Sequence, residues 1–198
     1  IQSKLVLFVN FRVERLNINM PVNQTIQNFY RAAADRDFSR DFLFRVTQMQ
    51  LQGVPALTEN DLVYVKTAAL PGRSITNVAV PYMGLALNVP GTVTYPGSDG
   101  YALNFYLDAD SELRNYFEGA SRSLFDDLNS TGEYGTPDDD FFIQLAQLDK
   151  ELEPIAQYKL VGASLRNIDN IGYNISDGTG ATVEVNATKA YHYYTKEQ

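Results

Sequence analysis

The chain has 198 residues, long enough for one domain with its own core, and 44% hydrophobic with 20% charged residues exclude a disordered chain. It contains no cysteine, which excludes disulfides and thiolate metal sites. Its formal charge of −8 is uneven: residues 1–98 carry nine Lys or Arg against six Asp or Glu, residues 99–198 seven against eighteen, a balance that argues against a basic face gripping phosphates.

Residues 1–19, IQSKLVLFVNFRVERLNIN, hold a short apolar run. Arg12, Glu14 and Arg15 follow it and no small-residue cleavage site does, so a secretory signal peptide is not expected. Met20 opens MPVNQTIQNFY like a second beginning. Residues 1–19 are therefore expected to be an extension outside the fold, and residues 20–198 the domain. Ile26, Phe29, Tyr30 and Ala33 recur at helical spacing, which predicts a helix over 25–34 with Asn23 or Thr25 as its cap. Phe42, Phe44 and Val46 alternate in FLFRVTQMQLQ and predict a strand; DLVYVKTAAL predicts a second, stopped by Leu70-Pro71-Gly72.

The run from Ser74 to Ser98, SITNVAVPYMGLALNVPGTVTYPGS, has no charged residue in 25 positions. Pro81, Pro90, Pro96, Gly84 and Gly91 interrupt it, so it is too broken for a membrane helix. Val78, Val80, Leu85, Leu87, Val89, Val93 and Tyr95 alternate with small or polar residues, and Gly84 sits near the middle; the pattern predicts an extended β-hairpin. Such a hairpin is either an ordinary buried element or, given its Pro, Gly, Asn and Thr content, an arm that contacts another chain.

YALNFYLDAD predicts a strand with Leu103, Phe105 and Leu107 on one face. A helix then starts near Asp110 or Ser111, with the stripe Leu113, Phe117, Ala120, Leu124 and Leu128. NSTGEYGTPDDD reads as a loop. FFIQLAQLD and QYKLVGASLRNI read as two strands, and IGYNIS with ATVEVNATKAYHYY as a final pair around Asp177-Gly178. The count is about eight strands and two helices. The fold class is mainly β: an antiparallel sandwich or half-barrel with a flanking α-helix and an extended hairpin arm.

No catalytic or cofactor-binding site is legible. The single histidine, His192, lies in an alternating strand without a second base or acid. Asp138-Asp139-Asp140 lacks the spacing of a calcium loop. No nucleophile-elbow or phosphate-loop motif is present. The expectation is no catalytic residue, no metal and no cofactor.

The order of these segments resembles the major tail tube protein of contractile-tailed bacteriophages, a family related in fold to contractile-injection and type VI secretion tube proteins. The resemblance runs from about Met20 to Thr195. It rests on SRDFLFRV after a helix, KTAALPG ending a strand, the arm PYMGLALNVPGTVTY, LNFYLDADSELRNYFEGAS feeding a helix, and NIGYNISDGTGATVEVNATKAYHYY. It departs in residues 1–19 and in the loop 128–140. The resemblance implies rings of six copies stacked into a tube inside a contractile sheath, with DNA as passing cargo. Implied partners are other copies of the chain, the sheath protein, a baseplate tube initiator and a tail terminator, with no membrane. The implied place is the virion, after assembly in the host cytoplasm. The arm then becomes the ring-to-ring contact, through Val80, Tyr82, Met83, Leu85, Leu87, Val89, Val93 and Tyr95. A tube initiator or a secretion-system ring shares the fold. A carbohydrate-binding β-sandwich is the alternative of another class, supported by the thirteen tyrosines.

Overall fold

The computed structural model describes residues 22–132, 140–176 and 178–197. They divide into two units, one ending at Ser39 and one beginning at Arg40. The expected boundary after residue 19 lies outside the described residues.

In the first unit, helix α1 spans Val22–Arg36, two to three residues longer at each end than the periodicity predicts. Its apolar positions Ile26, Phe29 and Tyr30 are exposed. Phe29 packs its ring against Phe38 beyond the helix, with centroids 5.9 Å apart.

The second unit is built on two antiparallel four-stranded sheets. The first takes the order β1 (Phe44–Gln50), β8 (Phe142–Leu148), β9 (Pro154–Val161) and β12 (Tyr193–Glu197). The second takes the order β10 (Ser164–Ile168), β11 (Glu184–Ala190), β5 (Tyr101–Tyr106) and β2 (Val65–Thr67). Neither closes into a barrel, so β1, β12, β10 and β2 stand at sheet edges. Two more ladders are separate: β3 (Ser74–Tyr82) with β4 (Leu85–Thr94), and the two-residue pieces β6 (Phe125–Asp126) and β7 (Thr131–Gly132). The mainly-β reading holds. Part of the surplus over eight strands comes from these short pieces.

The core lies between the sheets, where period-two alternation delivers one apolar face from each. Val46, Met49, Ile143, Leu145 and Leu160 come from the first sheet; Leu103, Phe105, Val185 and Ala187 come from the second. Helix α3 (Glu112–Leu124) covers this core with Leu113, Phe117 and Ala120, three residues of the expected stripe. Leu128, the last member of that stripe, is 93% exposed because the helix ends at Leu124. The start of α3 differs from expectation. Ser111 precedes the first turn at φ +56° and makes no side-chain cap bond. Asp108 caps instead: its Oδ2 accepts from the Glu112 N–H at 2.7 Å and its Oδ1 from the Leu113 N–H at 3.3 Å.

Three other expectations change. DLVYVKTAAL is not one strand: a capping box between Thr58 and Asp61 starts a single helical turn, α2 (Glu59–Leu62), and only Val65–Thr67 pairs with β5. QYKLVGASLRNI divides at Gly162, where the chain turns from the first sheet to the second between β9 and β10. The final pair does not form a hairpin around Asp177-Gly178. IGYNIS is not a strand, Asp177 lies outside the described residues, and β11 and β12 belong to different sheets. His192 sits at that second corner, exposed, with its backbone N–H donating to the Val161 carbonyl at 2.9 Å. Asp138 and Asp139 lie outside the described residues. Among the described residues no helix is long and apolar enough to cross a membrane.

Candidate assembly interface

Every residue of β3 and β4 is exposed. The two strands form their own sheet, with neither face covered by the rest of the unit. The alternation that would bury half of a core hairpin therefore buries nothing here, and the run is an arm. An isolated two-stranded ladder is marginal in water, so the arm's register must be held locally.

At the tip, Met83 and Gly84 form a two-residue connection with φ +48° and +82°. Two positive φ values in succession suit a primed hairpin turn, whose twist matches the strands it joins. Below the tip, Tyr82 stands opposite Leu85, Val80 opposite Leu87 and Val78 opposite Val89. These three pairs share one face, because residues two apart point the same way. The other face carries Pro81 opposite Ala86, Ala79 opposite Asn88 and Asn77 opposite Pro90. Between the tip and the bulge the arm is thus two-faced: six large apolar side chains on one side, Pro, Ala and Asn side chains on the other.

A bulge follows, where Thr76 alone faces Gly91 and Thr92. The Thr76 and Thr92 hydroxyls lie 2.7 Å apart, and Thr76 Oγ1 accepts from the Thr92 N–H at 3.2 Å. Gly91 is the residue this bulge admits: a Cβ there would stand 2.8 Å from Val78 Cγ2 and 2.9 Å from the Thr76 carbonyl. The bulge pairs Val93 with Ile75, three residues from Val78, and so places Val93 on the small-residue face.

The arm leaves the body through two Pro-Gly pairs, Pro71-Gly72 and Pro96-Gly97. Tyrosines fasten this stem. Tyr95 is half-buried and packs edge-on against Tyr194, with centroids 5.5 Å apart; Tyr101 meets Tyr191 the same way at 5.8 Å. The Tyr101 hydroxyl donates to the Ala69 carbonyl at 2.6 Å, and the Tyr191 N–H donates to the Ser98 carbonyl at 2.8 Å. Burial raises the Tyr101 hydroxyl above its ordinary pKa, against the opposing effect of the Ala69 bond. Burial likewise raises Tyr191. Arg166 and Asp99 close the stem with an ion pair at 3.0 Å. Edge-on packing commits these rings to one another rather than to a flat sugar-binding platform.

Of the expected contact residues, Val80, Tyr82, Leu85, Leu87 and Val89 therefore share one exposed face. Met83 is the tip, 88% exposed. Val93 lies on the opposite face, and Tyr95 belongs to the stem. Burying the exposed remainder of that face is worth several kcal/mol per arm at about 25 cal/mol per Å².

Two further surfaces have no signal in the sequence. Phe42 and Val63 are 68% and 75% exposed and border a cavity of about 230 Å³ beside β1 and β2. Between β10 and β11, residues 170–174 and 178–184 line an open hollow of about 570 Å³. Its glycines, asparagines and threonines read only as turn residues. Among the described residues no group of three or more His, Asp or Glu is placed to hold a metal ion.

No family model matches the sequence, and no curated protein matches it. Solved structures do share the fold. A chain of the anti-feeding prophage (AFP) baseplate, determined by cryo-electron microscopy with 6-fold symmetry, superposes with a TM-score of 0.54 at 13% identity, covering 81% of this chain and 95% of its own. A chain of the AFP tube-terminating cap superposes with a TM-score of 0.56 at 8% identity, covering 82% and 93%. This chain thus shares its fold with these two anti-feeding prophage chains, in line with the resemblance.

Proposed function

We propose that this chain is a structural subunit of a phage tail tube: six copies form a ring, and rings stack into a hollow tube inside a contractile sheath through which DNA passes. The observation that carries this reading is the arm, an uncharged two-stranded ladder with six large apolar side chains in solvent. Soluble monomers seldom leave such a face open, whereas a filament buries it in every copy. The open edges of both sheets support the same reading. Strand edges invite pairing, and closing them around a ring removes the exposed backbone groups.

The role is structural, with no reaction and no cofactor. The partners are other copies of the chain, the sheath protein, the baseplate initiator and the tail terminator, in a virion assembled in the host cytoplasm. DNA is cargo, and the charge of −8 per copy repels its phosphates rather than gripping them. Tube initiation at a baseplate is the second reading, favoured by the similarity to a baseplate chain.

Negative-stain microscopy of the purified protein tests both. Long tubes are expected; isolated rings that do not stack would favour initiation, and a monomer at every concentration would remove the tube reading. Binding to duplex DNA near 0.15 M salt, roughly physiological, is expected to be undetectable. A micromolar Kd that weakens steeply with salt would contradict the cargo role.

A further inference from the structure

We propose that the outward face of the second sheet is the wall of the tube's bore, a surface of amide, hydroxyl and methyl groups that gives a passing polyanion nothing to grip. The inference rests on reading the chain as a tube subunit, and it names which face of that subunit the duplex DNA meets.

The alternation that builds the core also builds this face. Leu103, Phe105, Val185 and Ala187 point inward and are buried, so the residues between them point out. The outward residues stand side by side across the strands. Asn104 pairs with Asn186 and with Thr67, Thr188 with Ala102 and Asn167, and Ala190 with Ser164. All of these side chains are short and none is charged.

The four strands of this sheet hold four charged residues, and each is accounted for. Lys189 is buried on the core side. Lys66 and Glu184 lie on the outward side and neutralise each other at 2.6 Å. Arg166 sits in the bulge of the edge strand β10, paired with Asp99 at 3.0 Å. The face therefore carries no net charge in a chain of −8.

The first sheet offers the contrast. Two sheets packed face to face leave two outward faces, and in a wall one subunit thick one turns to the bore and the other away from it. On the first sheet the register turns Arg45, Lys159 and Glu197 outward, two cations to one carboxylate. Phe142 and Tyr193 share that side, and Lys159 Nζ lies 4.6 Å from the Phe142 ring centroid. Cations repeated in every copy would release counterions from DNA and hold it, with a strength tied to salt. The second sheet offers no such grip. Its amides and hydroxyls exchange hydrogen bonds with water on nearly even terms, so contacts to phosphate form and break at little cost.

The test uses the absence of native cysteine. Asn186→Cys on the second sheet and Thr195→Cys on the first, both at exposed positions, are made in separate chains and assembled. The tubes are treated with biotin-maleimide and then with streptavidin, a globular protein too bulky for a bore that fits a duplex. Asn186→Cys tubes should react with the small reagent yet bind streptavidin only at their ends or after dissociation. Thr195→Cys tubes should bind it along their length. Streptavidin along intact Asn186→Cys tubes, or its exclusion from Thr195→Cys tubes, overturns the assignment while the tube reading stands. Asn104→Lys combined with Asn186→Lys gives a second readout. Tubes of this variant assembled with duplex DNA near 0.15 M salt should retain about tenfold more nuclease-resistant DNA than unmodified tubes, and release it in high salt. Extra DNA that the nuclease digests would place these residues outside the bore and overturn the assignment. If the unmodified chain forms no tubes, both readings are overturned.

Discussion

Val80 stands directly across the strand pair from Leu87, and the two side chains remain 45% and 51% exposed. Directly opposed apolar pairs stabilise a ladder by roughly 0.2–1 kcal/mol each. This one steadies the arm while holding its apolar face open to solvent, and it contributes nothing to the core between the sheets. Stability of the body and competence of the arm are therefore separable by mutation.

Leu85→Asp is the direct separation. Leu85 is 67% exposed and lies beside the tip. A surface change of this kind costs about 0.5 kcal/mol or less, roughly 1–2 °C in Tm for a domain this size. The expected outcome is an unchanged melting curve together with failed tube formation, since a buried unpaired carboxylate would recur in every copy. Loss of the folded body would mean that the hairpin packs internally after all.

The start of α3 gives a second expectation. Asp108→Ala should cost about 1 kcal/mol in urea unfolding, the usual worth of an N-cap side chain. Ser111→Gly should cost nothing and relieve the left-handed backbone at φ +56°. The reverse ranking would restore Ser111 as the cap.

At the first corner Gly162 has φ +73°, and a Cβ there would run into the His192 ring. Gly162→Ala should lower stability by about 1–2 kcal/mol from the backbone alone. Adding His192→Ala clears the ring but not the φ penalty, so the double variant should recover only part of the loss. Full recovery would show that the ring clash is the whole effect.

Lys189 yields the pH prediction. It is fully buried on β11, with Nζ 4.7 Å from the Phe105 centroid, 4.8 Å from that of Phe117 and 3.0 Å from the Ala187 carbonyl. The rings favour an ammonium by about 2 kcal/mol. Removing the charge from water costs several, and burial wins, holding the pKa well below the ordinary lysine value. The unfolded amine takes up a proton below about pH 10.4; the folded one does so only well below that. Between those values the unfolded state holds the extra proton, so stability falls as the pH falls. Lys189→Met should flatten this slope between pH 7 and 10 and raise stability at pH 7 by about 1–4 kcal/mol. An unchanged slope, or a lower midpoint, would mean that the ammonium is the folded form.

The local devices were legible where a period or a turn residue enforces them. The stripe Leu113, Phe117 and Ala120 specified α3, and the alternation of Leu103 and Phe105 specified β5. The uncharged run with Gly84 at its middle specified the hairpin. In each case the signal lies within a few neighbouring residues, where backbone geometry alone sets which side chains share a face.

The tertiary structure decided the rest. A period of two predicts two faces but not which is covered, so whether Val80 and Leu87 lay in a core or in solvent depended on where the other strands went. The bulge moved Val93 to the opposite face through a contact between Thr76 and Thr92, sixteen residues apart. Asp108 displaced Ser111 as the cap of α3 because the chain entered the helix through a left-handed turn. The hollow lined by residues 170–174 and 178–184 brings together residues from the two ends of the connection between β10 and β11. Sequence determined the elements, since those are local; burial, corners and cavities arise from pairings between distant segments, which local periodicity does not encode.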